Sequence, residues 1–408
     1  MSRRPTANRR LVLSAALGTT AMLSMPRLAR SQKKYDTGAS DTEIRIGNTI
    51  PYSGPASNYG TMAKTQAAWF SKINEDGGIN GRKITYLSLD DGYSPPKAVE
   101  MTRKLVESDE VLFMFGQLGT APNAAIQKYL NSKGIPHLFL STGASRFIDP
   151  KGSPWSLSSL PSYHTEGRVY AEHVLKTQPN ATIAILFQND DYGRDFVKGF
   201  KEGLGSQTGK IVAEAGYEAT DPTVDSQVLT LKASNATVLF IVALAKQSSQ
   251  AIRKTYEIGW KPTQYVIGTS SGISSTLVPA GLEKSVGILT ATYTKDPRDP
   301  RFENDPGMRE YLAFMKKYYP EADALDRVNV AAYNASQMMT EALRRCGDNL
   351  TRENVMKQVT SYKDLSLPML LPGIRVNTSA TDYRLIRSMQ IERFDGTKYV
   401  AVGDLVNL

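Results

Sequence analysis

The sequence predicts an α/β protein made of two doubly wound, parallel-sheet lobes. Short β-rich runs alternate with amphipathic helical segments along the chain after residue 42. Many of these runs are continuously apolar, as in strands that are covered on both faces. The pattern also occurs twice, because a strand followed by Tyr59-Gly60 and a helix is echoed by a strand followed, after Asn189–Asp191, by Tyr192-Gly193 and a helix. In such a fold ligands bind beyond the carboxyl ends of the strands.

The alternation defines eight strands and eight helices before residue 291. The predicted strands are Glu43–Ile50, Lys83–Asp90, Val111–Gly116, His137–Ser141, Thr182–Gln188, Ile211–Tyr217, Val238–Leu244 and Tyr265–Gly268. The predicted helices are Met62–Asn74, Pro96–Glu107, Ala121–Ser132, Thr165–Lys176, Phe196–Leu204, Thr223–Ala233, Gln247–Ile258 and Ser274–Gly281. Where a helix connects two successive strands, we expect a βαβ unit with a right-handed crossover.

The last part of the chain adds elements to lobes that are already formed. It contains helices Val328–Arg345 and Arg352–Thr360 and strands Arg384–Arg393 and Tyr399–Val402. The chain must therefore pass between the lobes more than once. We expect lobe 1 to comprise residues 42–160 with about 291–372, and lobe 2 residues 161–290 with about 373–408.

Composition excludes several function classes. The chain has 408 residues and a formal net charge of +9, but six arginines lie within residues 1–31, where there is no acid. The remainder is almost balanced in charge, so we expect no nucleic-acid partner. A single cysteine, Cys346, excludes a disulfide framework and a cysteine-built metal site, and three scattered histidines do not favour zinc. No cofactor or metal is predicted.

The first thirty-one residues resemble a twin-arginine secretory signal. Arg9-Arg10 precedes the uncharged apolar run Leu11–Met25, and Ala29-Arg30-Ser31 offers small residues at a cleavage site before Gln32. The alternative is a membrane anchor, but the run is shorter than the ~20 residues needed to span a bilayer. We therefore expect residues 1–31 to be removed and the mature protein to be exported to the periplasm.

One segment resembles the nucleophile turn of a hydrolase. Gly268–Gly272 matches G-x-S-x-G with Ser270 at its centre, after a strand and before a helix. The hydrolase fold with this turn places its acid and its histidine after the serine, whereas His137, His164 and His173 all precede it. We therefore predict that the chain is not an enzyme, and a serine hydrolase remains a remote alternative.

Two glycine- and hydroxyl-rich turns follow neighbouring strands. One is Gly116–Thr120, which contains Gly119 and Thr120, and the other is Ser141–Ser145. Backbone N–H groups and hydroxyls at the start of a helix can hold an anion without a charged side chain. Ordinary helix capping explains either turn alone, but two on adjacent strands favour an anion site.

At this point a family resemblance becomes visible. The runs Ile46–Pro55 and Ile73–Arg82, followed by Asp90-Asp91, resemble the leucine/isoleucine/valine-binding proteins, periplasmic receptors that feed ABC importers. The resemblance covers nearly all of the mature chain. It implies two α/β lobes joined by a three-stranded hinge, a ligand held in the cleft between them, and an inner-membrane permease and ATPase as partners of a monomeric receptor.

The resemblance also implies roles for residues of the two turns. Thr120 matches a serine that binds the ligand carboxylate in the family, and Ser145 matches a threonine that does the same. Residues Gly119, Thr142, Gly143 and Ala144 belong to these loops. Tyr59 and Tyr192 match aromatic residues that cover the ligand from opposite lobes.

The departures from the family pattern concern the other end of the ligand. Ser270 occupies the position of an acid that pairs with the ligand α-ammonium in the amino-acid receptors, and Leu244 approximately matches a neighbouring aromatic residue. An ammonium without a carboxylate would lose its main compensation for desolvation. We therefore expect a small carboxylate without an α-ammonium, such as an aromatic or short hydrophobic acid, enclosed by Tyr52, Tyr59, Tyr163, His164 and Tyr192. The alternatives are a branched-chain or other amino acid, and an extracellular sensor that reports a ligand without delivering it.

Overall fold

The computed structural model describes residues 1–2 and 33–407. The predicted signal sequence therefore lies, apart from its first two residues, outside the described residues. Within the described part of the chain, no helix combines the length and the apolar character needed to cross a membrane.

From residue 33 onward the chain alternates strands and helices as predicted. The strands are β1 (Lys34–Tyr35), β2 (Glu43–Ile50), β3 (Lys83–Asp90), β4 (Phe113–Phe115), β5 (His137–Leu140), β6 (Ser156–Ser158), β7 (Ile183–Gln188), β8 (Ile211–Tyr217), β9 (Val238–Val242), β10 (Thr263–Val266), β11 (Leu289–Thr292), β12 (Asn349–Leu350), β13 (Ser388–Phe394) and β14 (Tyr399–Asn407). The helices are α1 (Thr61–Glu75), α2 (Pro95–Arg103), α3 (Thr120–Ser132), α4 (Tyr163–Thr177), α5 (Asp191–Leu204), α6 (Asp225–Lys232), α7 (Ala245–Glu257), α8 (Val278–Ala280), α9 (Pro306–Tyr318), α10 (Arg327–Cys346) and α11 (Arg352–Val359).

The first lobe is built on a five-stranded parallel sheet in the order β3-β2-β4-β5-β6. Helices α9 and α10 join this lobe from late in the chain. Trp69 of α1 packs edge-on against Phe314 of α9 and Tyr333 of α10, with ring centroids 5.6 and 5.1 Å apart. The indole N–H of Trp69 also donates to Thr340 at 2.9 Å. These buried aromatic contacts fix the late helices on the early sheet.

The second lobe is built on a seven-stranded sheet in the order β14-β13-β11-β10-β9-β7-β8. The strands from β8 to β11 run parallel, whereas β13 and β14 add an antiparallel edge. All of β9, Val238–Val242, is buried, as its continuous apolar sequence predicts. The predicted α/β class with two parallel-sheet lobes is confirmed.

Five elements escaped the sequence analysis: helix α9, the two-residue strands β1 and β12, and strands β6 and β11. Strands β6 and β11 are short and carry Ser or Thr beside their apolar residues, so neither gives a continuous apolar run. Helix α9 begins with a recognisable signal, because the Asp305 carboxylate caps the Met308 N–H at 2.9 Å and Pro306 occupies the first turn.

The chain passes between the lobes three times. The first passage lies between β6 and α4, and the second follows β11 near Tyr293. The third follows Ile386, because Leu385 and Ile386 are still buried in the first-lobe core whereas β13 belongs to the second sheet. The boundary between the last first-lobe segment and the last second-lobe segment therefore lies later in the chain than residue 373, where the sequence analysis expected it. Residues 374–386 carry apolar side chains that the first lobe needs for its core.

Candidate functional site

A cavity of about 100 Å³ lies between the two lobes, beyond the carboxyl ends of the strands. Leu118–Thr120 follow β4, Leu244 follows β9, and Gly268 and Thr269 follow β10, and all of them line the cavity. Residues with apolar or aromatic side chains form most of the wall. Of the predicted site residues, the structure brings six to the cavity: Tyr59, Gly119, Thr120, Tyr163, Tyr192 and Leu244.

Thr120 is the first residue of α3 and is held in place by two features. Gly119 before it has a φ of 96°, and a Cβ at this position would lie 2.5 Å from the Tyr93 ring, so a glycine is required. The Thr120 hydroxyl lies 2.7 Å from the hydroxyl of Thr142. Thr142 also accepts a bond from the Ala144 N–H, so its own hydrogen can point to Thr120. The Thr120 hydrogen is then available to a ligand.

Thr142, Gly143 and Ala144 support the cavity from behind rather than line it. Thr142 is fully buried, and Ala144 is 2% exposed in the core shared by the two lobes. A Cβ on Gly143 would lie 2.0 Å from the Pro161 carbonyl oxygen, so only glycine allows this close approach.

Ser145 has a different role from the expected one. Its N–H donates to one carboxylate oxygen of Asp195 at 2.9 Å, and its hydroxyl donates to the other at 2.9 Å. Arg146 next to it pairs with Asp191 at 2.8 Å. The structure therefore does not bring Ser145 to the cavity, because the second lobe uses both of its donors to hold the lobes together.

Ser270 is 1% exposed and lies beneath the cavity wall. The Tyr59 hydroxyl lies 3.4 Å from the Ser270 hydroxyl, donates to the Thr269 carbonyl at 3.2 Å, and accepts from the Ala245 N–H at 3.1 Å. Tyr59 of the first lobe is thus bonded to two loops of the second. Both lobes are closed around the cavity.

None of the three histidines contacts Ser270. The partner of His137 is Asn123 at 2.7 Å, and His173 bonds to Tyr265 at 2.8 Å. His164 lies 2.9 Å from Glu202 in an ion-pair geometry. A serine nucleophile here would have no histidine base.

Two further predicted residues lie away from the cavity. Tyr52 bonds to Ser88 at 2.7 Å, and its N–H donates to Asp90 at 2.9 Å, which keeps it on the first lobe's outer loop. His164 follows Tyr163 on α4, and its side chain reaches α5. Adjacent helical residues point in different directions, so His164 cannot share the cavity with Tyr163.

The tyrosines of the cavity form one aromatic group. Tyr163 stacks on Phe196 with centroids 4.4 Å apart and meets Tyr192 edge-on at 5.3 Å. The Tyr192 hydroxyl donates to the Ala243 carbonyl at 3.1 Å. Burial raises the pKa of Tyr59, Tyr163 and Tyr192, so these hydroxyls are neutral at physiological pH.

Sequence reasoning missed several residues that line the cavity. Ser141 lies beside Thr142 but was not selected, and Tyr93 and Tyr293 come from loops without a motif. Glu166 and Arg327 are the charged residues of the lining. An acid in the first turn of a helix and an arginine at the start of another are ordinary surface patterns, so no sequence signal distinguishes them.

Arg327 links the two lobes through buried ion pairs. Its Nη2 lies 2.7 Å from an oxygen of Asp296 and 2.7 Å from an oxygen of Glu392 on β13. The three side chains are only 12%, 4% and 2% exposed. Burial alone would lower the pKa of Arg327, but the two carboxylates raise it above its ordinary value. Arg327 therefore remains a cation.

In the part of the chain that the structure describes, no three His, Cys, Asp or Glu side chains cluster closely enough to hold a metal ion. The polar groups that a ligand would meet are hydroxyls, one carboxyl and one guanidinium, whose Nε and Nη2 are paired and whose Nη1 has no partner among the described residues. Such a set can bind and orient a small molecule.

Comparison with known proteins agrees with this geometry. The sequence profile of the periplasmic binding protein family matches residues 43–398. The Leu/Ile/Val-binding protein homolog 1 of Brucella abortus is 24% identical over 332 residues, which is 80% of this chain and 85% of the relative.

Solved structures share the fold. A branched-chain amino acid ABC transporter protein from Thermus thermophilus, with bound valine, superposes with a TM-score of 0.80 at 16% identity, covering 91% of this chain and 98% of its own. A fatty acid ABC transporter substrate-binding protein from Thermomonospora curvata gives a TM-score of 0.78 at 19% identity, covering 92% and 95%. The predicted resemblance is confirmed, and the chain belongs to the periplasmic binding protein family.

Proposed function

We propose that this chain is an exported receptor that delivers a small carboxylate to an ABC importer, and that its ligand has an aromatic or hydrophobic body and no α-ammonium. The observation that carries the proposal is a tyrosine-walled cavity between closed lobes with the Thr120 hydroxyl at one helix N-terminus. Inner-membrane permease and ATPase subunits are the partners, and the receptor acts as a monomer.

The carboxylate end of the ligand is assigned to the first lobe. Gly119 offers no side chain to cap α3, so the first N–H groups of this helix have no side-chain partner. Hydroxyls from Thr120 and Ser141 line the cavity beside them. A helix N-terminus with neighbouring hydroxyl donors stabilises a carboxylate without a buried counter-charge.

The body of the ligand is assigned to the aromatic and aliphatic wall. Tyr59, Tyr93, Tyr163, Tyr192 and Tyr293 contribute rings, and their hydroxyls are neutral or already bonded to protein groups. Rings of this kind favour a flat or branched apolar group. Ser270 stands where the amino-acid receptors have an acid, and this argues against a ligand with an α-ammonium.

The second candidate is an amino-acid receptor. A specific observation favours it, because the Glu166 carboxyl lines the cavity and could pair with an ammonium. The named relatives support both candidates, since the Thermus protein holds valine and the Thermomonospora protein is named for a fatty acid.

Replacement of Thr120 by valine should weaken ligand binding by roughly 10- to 150-fold. This range corresponds to the loss of one hydrogen bond to a charged group, which contributes about 1.5–3 kcal/mol. The ligand would first be found by thermal-shift screening of aromatic acids, fatty acids and amino acids. Calorimetry would then compare wild type and Thr120→Val. Thr230→Val, at an exposed threonine of α6, is the matched control and should bind as wild type does. Equal affinity of all three proteins would move the carboxylate away from α3.

Export should remove the first 31 residues. The twin arginine and the small residues before Gln32 predict a mature N-terminus at or near Gln32 in the periplasmic fraction. N-terminal sequencing of the exported protein checks this expectation. A protein that still begins at Met1 or Ser2 would contradict signal cleavage and favour a membrane anchor.

A further inference from the structure

Glu166 is a buried acid in the cavity wall that the proposed carboxylate site does not use. It lies on α4, at the start of the second lobe, and is 2% exposed. Its Oε1 accepts two hydrogen bonds, from the Gly268 N–H at 2.8 Å and from the Tyr170 hydroxyl at 2.8 Å. Among the described residues, none donates to its Oε2.

The surroundings of Glu166 provide phenols but no cation. Tyr170, Tyr163 and Tyr293 are the titratable groups close enough to interact with its charge; the first two are buried and Tyr293 is partly buried. Within the described part of the chain, no Lys, Arg or His lies within 4.0 Å of its carboxylate. Arg327 lines the same cavity and its Nη1 has no partner among the described residues, but its ion pairs are with Asp296 and Glu392 and none is with Glu166.

A carboxyl with one free oxygen and no counter-ion is costly to bury. The two hydrogen bonds to Oε1 fix the orientation of the carboxyl group. Gly268, which donates one of them, packs closely against strand β11, because a Cβ on Gly268 would lie 2.5 Å from the Ala291 carbonyl oxygen. The free oxygen can therefore be compensated only by water or by a ligand group in the cavity.

We propose that Glu166 is a specificity-determining residue that binds a hydroxyl group on the body of the ligand, while the first lobe holds the ligand carboxylate. This assignment rests on the proposed function and narrows it to a hydroxylated aromatic or hydrophobic acid. The second lobe thus recognises the polar substituent.

A hydroxyl suits this position better than an ammonium. Burial raises the pKa of Glu166 to about 7, so both protonation states are populated near neutral pH. A hydroxyl can donate to the carboxylate and can also accept from the protonated acid. An ammonium has three donors and no acceptor, so it would require the ionised form and further acceptors.

The test uses calorimetry to compare 3-phenylpropionate with its three derivatives that carry one hydroxyl at position 2, 3 or 4 of the ring. In the wild type, the best hydroxylated isomer should bind about 10- to 150-fold more tightly than the parent acid, the range for a hydrogen bond to a charged group. Glu166→Gln keeps an acceptor for Gly268 and Tyr170 but removes the charge. In this variant the advantage should fall to about 2- to 12-fold, as for a neutral hydrogen bond.

Glu172→Gln is the control, because Glu172 is an exposed acid on the same helix, 3.6 Å from Arg168. It should retain the full hydroxyl advantage. If the acids bind but hydroxylation gives no advantage in the wild type, or an equal one in Glu166→Gln, the assignment of Glu166 is overturned and the receptor proposal stands. If none of the acids binds at millimolar concentration, the ligand class and this assignment are both overturned.

Discussion

Replacement of Arg327 by methionine should lower the free energy of unfolding by about 3–5 kcal/mol, the cost of leaving buried charges without their partner. Arg327 is the first residue of α10 in the first lobe, and Glu392 is on β13 in the second. The substitution leaves the carboxylates of Asp296 and Glu392 buried and uncompensated. Urea unfolding at pH 7, followed by fluorescence, measures the change.

Two comparisons identify the cause of this loss. Arg387→Met removes a partly exposed pair with Asp382, in which the two charged groups are 3.1 Å apart, and should change the free energy of unfolding by less than about 1 kcal/mol. Combining Arg327→Met with Asp296→Asn and Glu392→Gln removes the unpaired charges and should recover part of the stability. A loss below about 1 kcal/mol in the single variant would mean that the ion pairs do not hold the lobes together.

Phenylpropionate should bind at least about 100-fold more tightly than phenylalanine at the same pH and salt concentration. The two molecules differ only in the α-ammonium, and burying that cation without an adequate partner costs several kcal/mol. Ser270 lies beneath the cavity wall, and its neutral hydroxyl could not neutralise the charge in any case. Direct calorimetric titration of the two ligands measures the difference.

Equal affinity of the two ligands would instead favour the amino-acid receptor, with Glu166 as the pairing group. In that case phenylalanine binding should strengthen as the pH rises from 6 to 8, because an ammonium pairs with the ionised carboxylate and the pKa of Glu166 is about 7. Glu166→Gln should then abolish the pH dependence. Phenylpropionate binding to the wild type should not strengthen over the same range.

The sequence by itself determined the fold class, most of the strands and helices, and the family. Continuous apolar runs such as Val238–Val242 and the repeated strand-and-helix order depend on local patterns that survive without a structure. It also located the cavity, because strand ends in parallel sheets gather at one edge. Thr120 was found in this way, whereas Tyr59 and Tyr192 were taken from the family resemblance; all three line the cavity.

Only the tertiary structure decided which polar groups face a ligand. Ser145 lies in a predicted binding turn, yet its donors are used by Asp195 from the other lobe, 50 residues away in the chain. Glu166 appears in sequence as an ordinary first-turn acid, and it enters the cavity because Gly268, 102 residues later, bonds to it. A sequence motif predicts the strand, helix or turn to which a residue belongs, but not which groups its side chain contacts. Its partners come from distant parts of the chain: Gly268 reaches Glu166 once the second lobe has folded, and Asp195 reaches Ser145 only when the two lobes are closed.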